Sequence, residues 1–260
     1  MPKGLIDGLR TLFRGESPPV PVFFITRDRV NVLRETIKSL APLEDEVQVV
    51  VHDNESSFPP MLEYMQELEG QGVKVYRCKH TGSLDDISES VADTVERWFK
   101  ETRSRARHYV VSDPDIELDR PPEDFIKMYQ ALLRKFPDAA VVGPMLRIDD
   151  LPDCYPLKER VIEGHTEQFW HKEPTTVSVL GRRIQIQQAP IDTTFGMYRV
   201  GFRFKRLNMG VRVYAPYAAR HLDWYIDPDN MGEDQLYYMK SASEVAHWSA
   251  GWLKEKLEEE

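Results

Sequence analysis

Residues 109–115 of the 260-residue chain read YVVSDPD, and this short stretch indicates both a fold class and a site. An apolar strand runs directly into two carboxylates, Asp113 and Asp115, which flank Pro114 and are therefore presented by a stiff turn. Carboxylates this close repel each other unless a cation or hydrogen-bond donors neutralise them. A hard ion such as Mg²⁺ or Mn²⁺, bound also to phosphate oxygens of a substrate, suits them. The alternative is an exposed acidic turn that caps the following helix.

Upstream of this stretch, apolar runs alternate with helix-patterned segments. Strands are predicted at residues 20–25, 47–51, 73–76 and 109–111, and helices at residues 30–40, 61–68 and 84–98. This alternation is typical of a parallel sheet covered by helices on both faces. Ligands bind such sheets at the carboxyl ends of the strands, so the loops to consider are residues 26–31, 52–57, 79–86 and 112–119.

The pattern is less regular after residue 120. A helix is predicted over residues 125–136 and a strand over residues 139–142, and residues 150–180 are predicted to be a long irregular stretch. Residues 177–200 are predicted to form strands and residues 233–258 to be largely helical.

The composition excludes several classes of protein. The chain is 41% hydrophobic, with 34 Lys and Arg against 43 Asp and Glu and a formal net charge of -9. This content supports a sizeable core and argues against a disordered or collagenous chain. The acidic balance disfavours a nucleic-acid partner. Two cysteines, no long apolar run and no signal peptide together predict a cytoplasmic protein.

Residues 1–16 have the pattern of an amphipathic helix, with apolar residues on one face and basic residues available to the other. The helix would either pack on its own domain or a neighbour, or lie on an anionic membrane surface at the inner face of the membrane. The apolar residues are Leu5, Ile6, Leu9, Leu12 and Phe13, and the basic ones are Lys3, Arg10 and Arg14.

The ordered set of strand-end loops resembles the GT-A family of nucleotide-sugar glycosyltransferases, specifically its family 2-like, DxD-containing members. In that family a DxD turn after a strand of a Rossmann-like sheet holds a divalent metal against the donor diphosphate, and Asp113 and Asp115 match that turn. Residues 22–27 (VFFITR) resemble the opening strand and nucleotide loop, residues 49–56 (VVVHDNES) the acidic base- and ribose-binding turn, and residues 79–82 (KHTG) the third loop.

The resemblance covers most of residues 20–240 and implies an α/β fold of GT-A (Rossmann-like) type. The expected sheet is mixed, mainly parallel and flanked by helices on both faces. Besides the helix at residues 1–16, we expect a single catalytic domain over residues 17–260. Its first half, residues 17–119, would bind nucleotide, and its second half, residues 120–260, would bind the acceptor.

Several strand-end residues suit a nucleotide by their own chemistry. Asp53 can accept hydrogen bonds from ribose hydroxyls or a uracil imide, and Asn54 can both donate and accept. Thr26 and Arg27 can meet a nucleobase or phosphate, with Arg27 binding through a bidentate fork. Gly82 permits close backbone approach to a ligand. The alternatives are an Asx turn at Asp53, a surface charge at Arg27 and a helix-entry turn at Gly82.

Residues 220–225 (RHLDWY) supply the expected third metal ligand. In several GT-A enzymes a histidine from the C-terminal region completes the metal shell, and by that resemblance His221 is the candidate, alongside Asp113 and Asp115. Arg220 would steady the diphosphate as negative charge develops, with Trp224 beside it. The alternative is that His221 packs in the protein or forms a surface hydrogen bond.

Two carboxylates compete for the role of catalytic base. Asp192 lies in a polar turn between apolar runs, where related transferases line the donor-sugar and acceptor pocket. Asp234 belongs to a Glu-Asp pair at a predicted helix start, which resembles the base of inverting members. Both have structural alternatives, because Asp192 can cap a turn and acidic residues favour helix N-termini.

Trp170 and His171 lie on a predicted loop, where an aromatic face can stack on a sugar ring, although Trp170 can equally anchor the loop in the core.

The sequence thus predicts a hexosyltransferase that depends on Mn²⁺ or Mg²⁺ and inverts the configuration of the sugar. The expected donor is a UDP-sugar, with GDP as the alternative nucleotide, and the expected acceptor is a glycan or another hydroxyl compound. Homo-oligomerisation stays open. The alternatives are a sugar nucleotidyltransferase, or a non-catalytic carbohydrate- or metal-binding module.

Overall fold

The structure is a computed structural model that describes residues 17–79, 83–170 and 173–241. The predicted helix over residues 1–16, the candidates Gly82 and His171, and the predicted helix beyond residue 241 lie outside the described residues.

One large sheet forms the centre of the fold. Its strand order is β3-β2-β1-β4-β9-β6-β10-β8-β7, and β5 pairs separately with β11. The strands are β1 (Val20–Thr26), β2 (Val47–Asn54), β3 (Lys74–Cys78), β4 (His108–Ser112), β5 (Ile116–Glu117), β6 (Val141–Pro144), β7 (Thr175–Val179), β8 (Arg182–Ile191), β9 (Gly196–Arg199), β10 (Asn208–Val213) and β11 (Arg220–His221).

The directions of the strands confirm a mixed, mainly parallel sheet. Pairing is parallel from β3 through β2 and β1 to β4, and again between β6 and β10. The other contacts are antiparallel, so within the described residues β8 and β9 run against the remaining strands of the sheet.

Helices cover both faces of the sheet, as predicted. They are α1 (Val30–Ser39), α2 (Pro59–Gly70), α3 (Leu84–Thr102), α4 (Phe125–Lys135), α5 (Lys158–His165) and α6 (Glu233–Ser241). Successive side chains of the buried strand β1 point to opposite faces. Phe24 therefore joins the core cluster that contains Leu33 of α1, whereas Phe23 packs against Trp98 of α3 with ring centroids 5.8 Å apart.

The prediction of a long irregular stretch over residues 150–180 is wrong for much of that stretch. α5, a π-helical turn over Thr166–Trp170 and the edge strand β7 occupy it. α5 buries only Val161 and His165, so its apolar stripe is too narrow to produce a clear helical period. Most residues of β7 face solvent, which removes the alternation that marks a half-buried strand.

β10 is a central strand that the sequence pattern did not predict. It contains Gly210 and Arg212, which are atypical of a buried strand. A Cβ atom on Gly210 would lie 2.4 Å from the carbonyl oxygen of Val141, so glycine is what allows β10 to lie directly against β6.

In the described part of the chain, no helix is both long and apolar enough to cross a lipid bilayer.

Candidate active site

A cavity of about 840 Å³ opens at the carboxyl ends of the parallel strands. β1 contributes Thr26 and the loop after it Arg27, β2 contributes Asn54, and the turn after β4 contributes Asp113 and Asp115. The loops predicted to meet a ligand therefore line a single concave site.

Asp28 fixes the loops after β1 and β2 relative to each other. Its carboxylate accepts hydrogen bonds from the backbone N–H groups of Ser57 at 2.6 Å and Phe58 at 2.7 Å. Its own N–H donates to Ser56 Oγ at 2.8 Å. Asp28 has a φ of 56°, a left-handed conformation that aspartate tolerates better than most residues. This tie holds the two strand-end loops together at the edge of the cavity.

The acidic turn after β4 is held from two sides. The N–H of Asp113 donates to the carbonyl of Thr193 at 2.6 Å, and Thr193 Oγ1 donates to the Asp113 carboxylate. β5 then pairs with β11, which sets Ile116 opposite His221, and the Leu222 N–H donates to the Asp115 carbonyl at 2.7 Å. These bonds bring the turn after β4 against the segment that carries His221.

Asp115, His221 and Asp223 form a cluster whose candidate ligand atoms all lie within 4.8 Å of one another. The two carboxylates are buried, and the imidazole side chain is 13% exposed. His221 Nδ1 lies 3.6 Å from Asp115 Oδ2, too far for a hydrogen bond. The imidazole stacks on Trp224, with ring centroids 4.7 Å apart and planes 7° from parallel, which fixes its orientation.

Arg29 neutralises the two carboxylates of this cluster. Its Nη1 donates to Asp115 Oδ2 at 2.8 Å, and its Nη2 donates to Asp223 Oδ1. Burial alone would lower the pKa of Arg29, but Asp223 and Asp115 outweigh that effect and raise the pKa above its usual value. The side chain is therefore a permanent cation between two anions.

Burial raises the pKa of the Asp113 carboxyl well above its usual value, and repulsion from Asp115 adds to the shift. Without a further cation nearby, this environment favours the neutral acid over the carboxylate.

Several buried polar atoms that line the cavity have no hydrogen-bond partner among the described residues. They show whether the site has groups that could bind a metal and a nucleotide. Asp115 Oδ1 and His221 Nδ1 are buried and have no hydrogen-bond partner among the described residues. The same holds for Thr26 Oγ1, Asn54 Oδ1 and Thr194 Oγ1, which line the cavity as well. Two carboxylates and an imidazole form a ligand set that Mn²⁺ or Mg²⁺ accepts, so the residues present fit such an ion.

The structure brings most of the predicted site residues to the cavity. The predicted residues that line it are Thr26, Arg27, Asn54, Asp113, Asp115, Asp192, His221 and Trp224. Asp53, Arg220, Trp170 and Asp234 are not among its lining residues.

Asp53 bonds to the backbone of its own loop, three residues further along the chain. Its carboxylate accepts a hydrogen bond from the Ser56 N–H at 3.1 Å, and its side chain is buried, which raises its pKa. Arg220 is engaged by an acidic group on the other side of β11, with contacts of 2.9 Å to Asp150 and 3.1 Å to Asp119.

The two remaining residues contact other parts of the fold. Trp170 packs edge-on against Tyr214, with ring centroids 5.1 Å apart. The Asp234 carboxylate accepts from the backbone N–H of Asn31 at 2.8 Å and from Asn31 Nδ2 at 2.7 Å. This pair of bonds ties the start of α6 to the start of α1.

Asp192 lies in the cavity as one half of an ion pair. Arg206 donates to its two carboxylate oxygens from Nε and Nη2, at 2.7 Å each. The pair is about a quarter exposed on each side chain, so a ligand in the cavity can reach it.

Sequence reasoning missed Asp223 and Arg29 as site residues. Both lie within short segments that were predicted to contribute to the site, residues 220–225 and 26–29. The signal for Asp223 was an acidic residue two positions after a candidate histidine ligand. The signal for Arg29 was a second arginine in a strand-end loop that faces an acidic turn.

No protein-family model matches the sequence, and no curated protein sequence matches it. Several solved structures do match the fold. TarS 1-349 from S. aureus, in complex with UDP-GlcNAc, is 14% identical, with 86% of this chain and 61% of that chain covered and a TM-score of 0.47. The mannosyltransferase PcManGT from Pyrobaculum calidifontis, in complex with GDP-Man and Mn²⁺, is 15% identical, with coverages of 75% and 50% and a TM-score of 0.40.

A third match is glucosyl-3-phosphoglycerate synthase from Mycobacterium tuberculosis, in complex with Mn²⁺, UDP and glucosyl-3-phosphoglycerate. It is 13% identical, with 70% of this chain and 57% of that chain covered and a TM-score of 0.38. The chain thus spans between half and about three fifths of the length of these proteins. At these identities and TM-scores, the function has to be inferred from the residues of the site itself.

Proposed function

We propose that the protein is a glycosyltransferase that uses Mg²⁺ or Mn²⁺ to transfer a hexose-type sugar from a nucleoside diphosphate donor to a hydroxyl acceptor. The observation that carries this proposal is the Asp115, His221 and Asp223 cluster, which lies in the same cavity as the unpartnered polar atoms of Thr26 and Asn54. A cation site beside free hydrogen-bonding groups at the carboxyl ends of parallel strands suits a nucleoside diphosphate.

In the proposed site, Asp115, His221 and Asp223 hold the metal. A bound divalent ion would neutralise negative charge on the diphosphate as the sugar–phosphate bond breaks. Thr26 and Asn54 would bind the nucleoside through their free oxygens, and Arg27 would contact phosphate oxygens. Asp113, held by Thr193 at the rim of the cluster, would accept hydrogen bonds from the nucleotide sugar.

Asp192 is the candidate for the base that takes the acceptor proton. Its carboxylate lies in the cavity, and Arg206 orients it through two hydrogen bonds. A positioned carboxylate of this kind acts in single-displacement transfer with inversion, which is the stereochemistry we propose. Asp234 remains the rival candidate, and its bonds to Asn31 favour a structural role.

The proposal includes UDP as the preferred nucleotide, with GDP as the alternative, and contact of residues 1–16 with an anionic membrane. Vesicle binding by the full chain tests the membrane contact: replacing Leu5, Leu9 and Phe13 together by serine should abolish retention on anionic vesicles. Retention equal to that of the unsubstituted chain would contradict it.

The decisive experiment is calorimetric titration of the full chain with UDP and with GDP, each with and without Mn²⁺, followed by a donor-hydrolysis screen across nucleotide sugars. We expect one nucleotide to bind, its affinity to rise with Mn²⁺, and Asp115→Ala to abolish the rise and the turnover. Asp138→Asn, an exposed carboxylate remote from the cavity, is the matched control. A nucleotide affinity that does not change with Mn²⁺ would indicate that the ion has only a structural role. Pyrophosphate release from a nucleoside triphosphate and a sugar phosphate would indicate a nucleotidyltransferase instead.

A further inference from the structure

The cavity is rich in arginine. Five arginines and four aspartates line the cavity, although the whole chain has a net charge of -9. Arg29 and Arg206 are paired with carboxylates inside it. By contrast, Arg160 and Arg212 form no ion pair with any residue in the described ranges. Asp192 attracts Arg212 only at longer range, and its carboxylate oxygens are already bonded to Arg206, so neither Arg160 nor Arg212 has a carboxylate partner of its own among the described residues.

Arg212 gives the stronger evidence for an anion site because its side chain is buried. It lies on β10 and is only 4% exposed. Its Nε donates to the Pro190 carbonyl at 2.9 Å and its Nη1 to the Pro144 carbonyl at 3.0 Å. Nη2 meets no acceptor among the described residues. A buried charge whose hydrogen bonds go to neutral carbonyls is unfavourable, and an added anion would stabilise it.

Phe169 supports the same side chain from the π-helical turn, with its ring centroid 4.4 Å from the Arg212 guanidinium carbon. Burial lowers the pKa of Arg212 to about 10, so the side chain still carries its charge at neutral pH. Arg160 lies nine residues before Phe169, on α5, is exposed, and lines the same cavity.

The position of Arg212 separates it from the metal cluster. In the sheet order, β10 is three strands away from β4, whose turn carries Asp115. Neighbouring strands lie about 4.8 Å apart, so the backbones of β4 and β10 are roughly 14 Å apart across the sheet. Arg212 and the metal cluster are therefore carried by different parts of the sheet, and both line a cavity of about 840 Å³.

We propose that the acceptor carries an anionic group, a phosphate or a carboxylate, which Arg212 and Arg160 bind in the cavity. The inference rests on the proposed function, because it assigns the acceptor side of the same site. A guanidinium matches the geometry of both phosphate and carboxylate oxygens. Asp192 and its partner Arg206 line the cavity too, so an acceptor hydroxyl can reach the candidate base while its anionic group is held.

The test is calorimetric titration of the full chain, first saturated with UDP and Mn²⁺ so that the diphosphate position is filled. The probes are glucose 6-phosphate, glucuronate and glucose, which share a ring and differ in charge. We expect at least one of the two anionic probes to bind about tenfold or more tightly than glucose. Arg160→Gln should weaken that binding about tenfold, whereas Arg183→Gln, on the exposed side of β8, should leave it unchanged.

Arg212→Lys keeps the positive charge but removes the planar guanidinium that can form two parallel hydrogen bonds. It should therefore weaken the binding of the anionic probes and leave the binding of glucose unchanged. The melting temperature of Arg212→Lys shows whether this variant still folds. If it does not fold, the binding measured for Arg160→Gln tests the inference alone. Equal binding of glucose and the anionic probes, or unchanged binding by Arg160→Gln, would overturn the inference. Anionic probes that bind only without UDP and are displaced by it would also overturn it, because they would occupy the donor position, and the proposed function would then stand.

Discussion

Arg29 Nη1 donates to Asp115 Oδ2 at 2.8 Å in a position that is buried from solvent. The same guanidinium bonds Asp223, so one arginine offsets the charge of both carboxylates in the candidate metal cluster. Asp115 keeps its second oxygen unpartnered. The cluster is thus stable as a folded unit without a metal and still offers an oxygen and an imidazole nitrogen to an incoming ion.

We therefore predict that Arg29→Gln is strongly destabilising in the absence of metal. Removing one partner from a buried ion pair leaves uncompensated charge and costs about 3–5 kcal/mol. Because Mn²⁺ would supply the missing positive charge, saturating Mn²⁺ should restore a large part of this stability. Urea unfolding with and without Mn²⁺ measures both effects.

Arg34→Gln is the control for that experiment. Arg34 is also on the N-terminal side of the fold, but its contact with Glu67 is 3.5 Å long and roughly half exposed on both sides, so its loss should cost less than about 1 kcal/mol. If Arg29→Gln costs no more than Arg34→Gln, or if Mn²⁺ protects both variants equally, Arg29 does not act as the counter-ion of a metal site.

A second prediction concerns which residue completes the metal cluster. Sequence reasoning named Asp113 with Asp115 and His221, whereas the structure groups Asp223 with the latter two and gives the Asp113 carboxylate a bond from Thr193. Asp223→Asn and His221→Gln should each weaken Mn²⁺ binding about tenfold or more without nucleotide, as should Asp115→Asn, because each removes a direct ligand. Asp113→Asn should have a smaller effect.

Mn²⁺ electron paramagnetic resonance, which counts free ion directly, measures these affinities without any turnover. A loss for Asp113→Asn as large as that for Asp223→Asn would restore Asp113 as a ligand. Unchanged affinity in all four variants would remove the metal from this cluster.

Much of the fold could be predicted from the sequence because the parallel half has simple periodicity. Strands such as β1 are continuous apolar runs, and helices such as α3 repeat their apolar residues at helical spacing. β10 could not be predicted in the same way, because Gly210 is required by a contact with Val141 and Arg212 is held by carbonyls of distant strands. Neither requirement is visible in local sequence.

The candidate site shows the same division. Strand order alone places Thr26, Asn54 and Asp115 at one edge of the sheet, so their common cavity follows from the topology. The Arg29 ion pairs join residues that are 86 and 194 positions apart, and no local pattern encodes them. For Asp53, sequence chemistry allowed both a local backbone contact and a nucleotide contact, and the structure shows its carboxylate bonded to the Ser56 N–H.

A third prediction follows from His52, which lies fully buried on β2. Burial lowers the pKa of His52 to about 4, against about 6.5 in an unfolded chain. Its folded-state pKa is lower than its unfolded value, so its contribution to stability is complete above about pH 6.5 and is lost as the pH falls toward 4. Between pH 7.5 and pH 5 this amounts to about 2 kcal/mol of unfolding free energy.

His52→Asn should flatten the pH dependence by that amount. Asparagine keeps a polar group near the position of Nδ1, which lies 2.8 Å from Thr94 Oγ1. Urea unfolding of both proteins at pH 7.5 and pH 5 isolates the contribution of His52, because His108 and His165, whose pKa values are also lowered by burial, are present in both. Parallel pH profiles for the two proteins would contradict the prediction.

The last prediction separates the two candidate bases. Asp192 faces the cavity, whereas the Asp234 carboxylate is fully engaged by Asn31 between α6 and α1. Asp192→Asn should lower kcat for sugar transfer by a factor of about 10² to 10⁴, the range for a positioned general base, and leave the binding of nucleotide and Mn²⁺ nearly unchanged. Asp234→Asn should instead lower the unfolding midpoint, with a much smaller effect on kcat. Single-turnover kinetics measures the rate of sugar transfer, and thermal unfolding measures the stability of both variants.

A large loss of kcat in Asp234→Asn with an intact fold would reverse the assignment. If neither variant slows transfer, neither of these two carboxylates is the base.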